Sequence, residues 1–214
     1  MRILYSFLLT FFFSTPLQAM KLSSIQWTDS SFKSCVLELA KRHGLDDSLQ
    51  FSELKCHSAN IRSPVAITHF EQLQYLSLYN NDIIELDLRN LRKLRVLNVA
   101  SNQLKTLLIN DLGNLNELYA FRNKLATINF QGLVKLTKMR LMQNELVKLD
   151  ITPLKALREA HIFDNKLKTL SLEGLMYLQF LDVRQNPMPD ELYDEFDAMA
   201  GITISHDGNA DDWK

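Results

Sequence analysis

Four apolar side chains, Tyr79, Phe121, Met142 and Phe163, occupy one position of a recurring frame, and Tyr119, Arg140 and His161 stand two residues before the last three of them. These residue types suit binding rather than covalent chemistry. Aromatic, methionine and arginine side chains anchor protein interfaces, and a connected apolar patch on a soluble domain usually marks a partner. Catalytic groupings are scarce. His43, His57, His69, His161 and His206 show no ligand spacing, and neither a nucleophile elbow nor a Gly-rich phosphate loop is present. His161 with Arg140 and Asp182 on adjacent strands could form a polar cluster, but solvated charge neighbours explain it without any reaction. Asp207, Asn209, Asp211 and Asp212 look partly like a calcium loop. No bidentate Glu follows and the Gly is misplaced, so a solvated acidic tail is expected. No enzyme activity, cofactor or metal is expected.

The frame that positions these residues is set by six asparagines at a step of 21 residues: Asn81, Asn102, Asn123, Asn144, Asn165 and Asn186. Each closes the pattern apolar-x-x-apolar-x-apolar-x-x-Asn-x-apolar, as in Leu94, Leu97, Val99, Asn102 and Leu104. Further apolar residues follow each Asn, for example Leu107, Ile109 and Leu112. No helical stripe fits within one repeat, so each copy is read as a short strand followed by an extended return. One coil cannot bury its own leucines, whereas stacked coils share a continuous core. The Asn amide carries donors and an acceptor suited to the buried backbone of the turn, so the ladder is read as structural.

The pattern resembles the leucine-rich repeat family over Phe51 to Met188, including a degenerate first copy with Phe51, Leu54, Cys56, Ala59 and Ile61. Its 21-residue length and extended returns look like bacterial extracellular members, of which the internalins are relatives. The resemblance implies an α/β repeat solenoid: a right-handed leucine-rich repeat with a parallel sheet on the concave face, extended returns and helical caps at both ends. It also implies a protein or peptide ligand held on that face. No sorting signal, wall-binding module or immunoglobulin-like domain is read after the repeats, so host-cell invasion is not carried over.

The expected organisation is a signal peptide at 1–19, a helical cap at 20–50, seven coils at 51–188, and a C-terminal cap with acidic tail at 189–214. Arg2, the apolar run from Ile3 to Ser14 and the exit segment to Ala19 make the leader pattern, too short to span a bilayer. Export, to the periplasm or beyond, follows from it, with no membrane span after cleavage. The two cysteines, Cys35 and Cys56, then most simply form one disulfide. A helix from Ser31 to His43, capped by Asp29 or Ser30 and closed by Gly44, presents Phe32, Cys35, Val36, Leu39 and Ala40 on one face. Cys35 would tie that cap to the first strand. A second helix, from Pro189 to about Ala200, would present Leu192, Phe196 and Met199, with an extended Ile202 to Ile204 beyond Gly201. With 24 Lys plus Arg against 25 Asp plus Glu, no nucleic-acid footprint is seen.

In each strand, the residues alternating with the inward leucines face outward. Tyr79, Phe121, Met142 and Phe163 then lie along one column, roughly 20 Å long at about 4.8 Å per strand. Two readings stand side by side. The aromatics stack across the sheet for its own sake, or they form a docking stripe with Tyr119, Arg140 and His161 supplying polar specificity. The stripe is the expectation carried forward, and self-association of an envelope scaffold is the alternative.

Overall fold

The computed structural model describes residues 19–208. The leader expected at 1–19 therefore lies, apart from Ala19, outside the described residues, as do Asn209, Asp211 and Asp212.

The chain opens with the helix α1 (Ser30–His43) and continues through the strands β1 (Glu53–Lys55), β2 (Tyr75–Ser77), β3 (Glu85–Asp87), β4 (Val96–Asn98) and β5 (Thr106–Leu108). β6 (Glu117–Tyr119), β7 (Lys138–Arg140), β8 (Glu159–His161) and β9 (Phe180–Asp182) follow, then the helix α2 (Asp190–Asp197) and β10 (Thr203–Ser205). Eight strands form one parallel sheet in the order β1-β2-β4-β6-β7-β8-β9-β10, and β3 and β5 form a small sheet on the return side. The register aligns Leu54, Leu76, Leu97, Leu118, Met139, Ala160 and Leu181 in one buried row.

The solenoid coils at the expected 21-residue step because each turn is stitched by its asparagine. Asn102 Oδ1 accepts the Ile83 N–H at 3.1 Å, and its Nδ2 donates to Leu78 O at 2.9 Å and Val99 O at 3.1 Å. One amide thus satisfies its own turn and that of the preceding coil. The residue before each asparagine (Asn80, Ser101, Arg122, Gln143, Asp164 and Gln185) adopts a left-handed backbone with φ of 54 to 58°. That reversal turns the chain off the sheet and prevents the strand from continuing.

Both ends are covered. Asp29 caps α1 by accepting the Phe32 N–H, and Gly44 closes the helix in the left-handed region. α1 starts at Ser30, with Phe32, Val36 and Ala40 buried, and Cys35 bonds to Cys56, which follows β1 directly, across a Cα separation of 5.9 Å. The other Asp29 oxygen accepts the Arg62 and Ser63 N–H groups, tying the cap to the first return. Trp27, Phe32, Phe51 and Phe70 interlock beneath it.

At the far end, the structure corrects the expected helix. α2 stops at Asp197, and the side chains it buries are Tyr193 and Phe196; Leu192 and Met199 are only partly covered. Tyr193 turns inward because its hydroxyl donates to Asn186 O at 3.0 Å, an acceptor hidden from a purely apolar count. The extended piece beyond Gly201 is the eighth strand of the main sheet and pairs in register with β9.

Candidate functional site

Strand register fixes three outward columns. The first contains Glu53, Tyr75, Val96, Glu117, Lys138, Glu159 and Phe180; the second contains Lys55, Ser77, Asn98, Tyr119, Arg140, His161 and Asp182. The third, two residues further on, holds His57, Tyr79, Ala100, Phe121, Met142, Phe163 and Arg184.

The third column is apolar in two pieces. Phe121, Met142 and Phe163 occupy consecutive coils and are each half-buried. Tyr79 is set apart from them by the fully buried Ala100 and packs edge-on against His57, with ring centroids 6.0 Å apart. At the other end, the Arg184 guanidinium lies 5.8 Å from the Phe163 ring, and the buried Asp182 accepts two hydrogen bonds from it, at 2.9 and 2.7 Å. Asp182 therefore faces Arg184, and His161, Arg140 and Asp182 do not form one polar cluster.

The hub is Glu159, in the first column. Its Oε1 lies 2.8 Å from His161 Nε2 and 3.7 Å from an Arg140 nitrogen, and its Oε2 accepts from Lys138 Nζ at 2.7 Å. Burial raises the Glu159 carboxyl, but the hydrogen bonds from Lys138 and His161 outweigh burial and hold it below its ordinary value. Tyr119 OH donates to Glu117 Oε2 at 2.5 Å. Burial, together with that bond, pushes the Tyr119 phenol up to about 12. Arg140 bridges the two groups, with its guanidinium 5.8 Å from the Tyr119 ring. Its Nε is buried and has no hydrogen-bond partner among the described residues.

Tyr119, Arg140 and His161 are thus brought together, but by Glu117 and Glu159, which the sequence left in the background. The signal available was an i, i+2 pairing of acid with Tyr or His in alternate copies, Glu117 with Tyr119 and Glu159 with His161. Beside the hub, Glu117, Lys138, His161 and Phe180 line a shallow depression of about 560 Å³. Among the described residues no three His, Cys, Asp or Glu side chains converge as metal ligands, and no helix is long and apolar enough to cross a membrane.

A model of the Leucine Rich Repeat matches residues 93–115, a little more than one period. The chain has the leucine-rich repeat fold. Solved structures with the same solenoid include an internalin C2 of Listeria monocytogenes, 18% identical, with a TM-score of 0.59 over 88% of this chain and 97% of that one. A second Listeria monocytogenes internalin, InlF, is 17% identical, with a TM-score of 0.57 over 90% of this repeat protein and 67% of its own length. A leucine-rich repeat protein of Leptospira interrogans is 22% identical over 65% of this chain, with a TM-score of 0.47. This repeat protein spans about half of that Leptospira chain (50%) and of the InlJ functional domain (53%). No curated protein matches it.

Proposed function

We propose that this leucine-rich repeat protein is a non-enzymatic, exported binding module that holds a protein or peptide on its concave face. One observation carries the reading. Phe121, Met142 and Phe163 form a half-buried apolar run on outward positions beside Arg140, whose guanidinium is partly exposed. Repeat packing needs neither feature, because the core is complete on the opposite side of the sheet. A ligand that covers the run and supplies an acceptor to Arg140 would satisfy both. Tyr79, Tyr119 and His161 flank the same face as secondary contacts. The leader pattern and the Cys35–Cys56 bond support export, since disulfides persist in oxidising compartments.

The test is the Phe121→Ser/Phe163→Ser double variant. It should keep the thermal stability of the parent and lose capture of the partner from the native exported fraction. A large drop in melting temperature would instead identify the rings as cross-strand packing. Self-association would appear as a mass that rises with concentration in the parent but not in the double variant.

A further inference from the structure

One edge of the solenoid carries a charge pattern unrelated to the concave stripe. In five consecutive coils the segments 92–95, 113–116, 134–137, 155–158 and 176–179 stack directly. Asn116 N donates to Arg95 O, Thr137 N to Asn116 O, Arg158 N to Thr137 O and Gln179 N to Arg158 O, at 2.8 to 2.9 Å. These segments contain no Asp or Glu and six cations, Arg92, Lys93, Arg95, Lys135, Lys155 and Arg158, all exposed. Lys155 has the Asp150 carboxylate in its vicinity, but the hydrogen-bond and ring partners of the six are neutral. Lys93 meets the Gln72 amide, Lys135 the Asn114 amide at 2.8 Å, Arg92 the Asp111 carbonyl at 3.2 Å, and Arg158 stacks 5.7 Å from the Tyr177 ring. None of the six forms a salt bridge among the described residues. The opposite edge is balanced: Arg122, Lys124 and Lys166 stand among Asp82, Glu145 and Asp164, and Lys166 pairs with Glu145 at 3.5 Å.

The same basic edge bears bare apolar tips. Met176 is 86% exposed, Val134 62% and Tyr177 57%. Side chains that stand this far out make a ridge, and a ridge does not enclose a peptide but can lie against a plane. Basic residues beside protruding Met, Val and Tyr match the demands of an anionic bilayer surface, with cations at the phosphates and apolar tips below the headgroups. We propose that this edge docks the protein peripherally on membranes rich in anionic lipid, leaving the concave face free. The strip spans roughly 20 Å, at about 4.8 Å per coil.

The test is flotation of the mature chain with phosphatidylcholine vesicles, with and without phosphatidylglycerol. Binding should require the anionic lipid and weaken with salt. Each cation replaced by Gln should lower partition by about fivefold, and Lys93→Glu/Lys135→Glu/Arg158→Glu by at least about a hundredfold, if circular dichroism shows the variant folded. Met176→Ser/Tyr177→Ser should also release vesicles, whereas Lys124→Glu on the balanced edge should not. Equal partition with and without phosphatidylglycerol overturns the proposal. Retention by inorganic polyphosphate with no vesicle binding points instead to a soluble polyanion, and a charge-dependent rise in mass to the acidic α2 of a second copy; either result overturns it. Phe121→Ser/Phe163→Ser should leave flotation unchanged, so failure here is separable from failure of the concave-face reading.

Discussion

Asn81 Oδ1 accepts the N–H groups of both Ala59 and Ile61, each at 3.0 Å. The first coil has Ala59 where later coils have asparagine, and the second coil's asparagine closes its turn instead. Asn81 Nδ2 also donates to Cys56 O at 2.8 Å and Leu78 O at 3.0 Å, so this amide holds more of the backbone than any interior rung needs.

Replacing Asn81 with Ala should therefore cost more than replacing Asn102, whose Oδ1 serves only Ile83 N. Each buried group left unpaired costs about 1–3 kcal/mol. Urea unfolding should rank Asn81→Ala below Asn102→Ala in stability. Equal losses would mean that solvent reaches the first turn.

The Cys35–Cys56 bond closes a loop with a sequence separation of 21 residues, and cross-linking such a loop stabilises by about 3 kcal/mol. Reduction, or Cys35→Ala/Cys56→Ala, should lower the melting temperature. Amide exchange should rise first in α1, because the cap loses its covalent tie while the later coils keep their ladders. Uniform loss of protection along the whole chain would count against this order.

Asp29 gives the cap an acid limit. Burial raises its carboxyl, but backbone N–H donors from Phe32, Ser63, Arg62 and Ser31 outweigh burial and leave it below its ordinary value of 3.8. The folded pKa is thus the lower one, so this contribution is present above the unfolded pKa and is lost as pH falls through the folded value. Asp29→Ala should cost about 1 kcal/mol at neutral pH, as for other helix caps. The gap to the parent should close in acid. A gap that persists at low pH would sink the assignment.

Tyr119 has the opposite sign. Its phenol is raised from 10.0 to about 12, so the stabilisation is whole below the ordinary value and disappears as pH rises through the folded one. Ultraviolet titration should show a late tyrosine step near 12 that Tyr119→Phe removes. An unchanged late step would assign it elsewhere, with Tyr193, which is also raised, the first candidate.

Much of the scaffold was legible from residue types alone. The closing Gly44, the Cys pair and the register of all seven coils follow from local rules and from the period, whereas the choice of Asp29 over Ser30 as the cap came only with the structure. What escaped the sequence were pairings set by distance. His161 turned to Glu159 rather than Asp182 because Arg184 already holds Asp182 in a two-point bond. Tyr193 became core because Asn186 O lay within reach.

By itself, the sequence determined the solenoid. A 21-residue period of leucines and asparagines leaves each coil unable to bury its apolar face alone, so stacking is the available solution. Only the tertiary structure decided how the surface divides. Side chains 21 residues apart in the chain become neighbours about 4.8 Å apart on adjacent strands. At that range, Coulomb attraction and hydrogen bonding choose among several partners, joining Glu159 to Lys138 on the neighbouring strand. The same stacking turns scattered Arg and Lys residues, averaged away in a net charge of −1, into one basic edge.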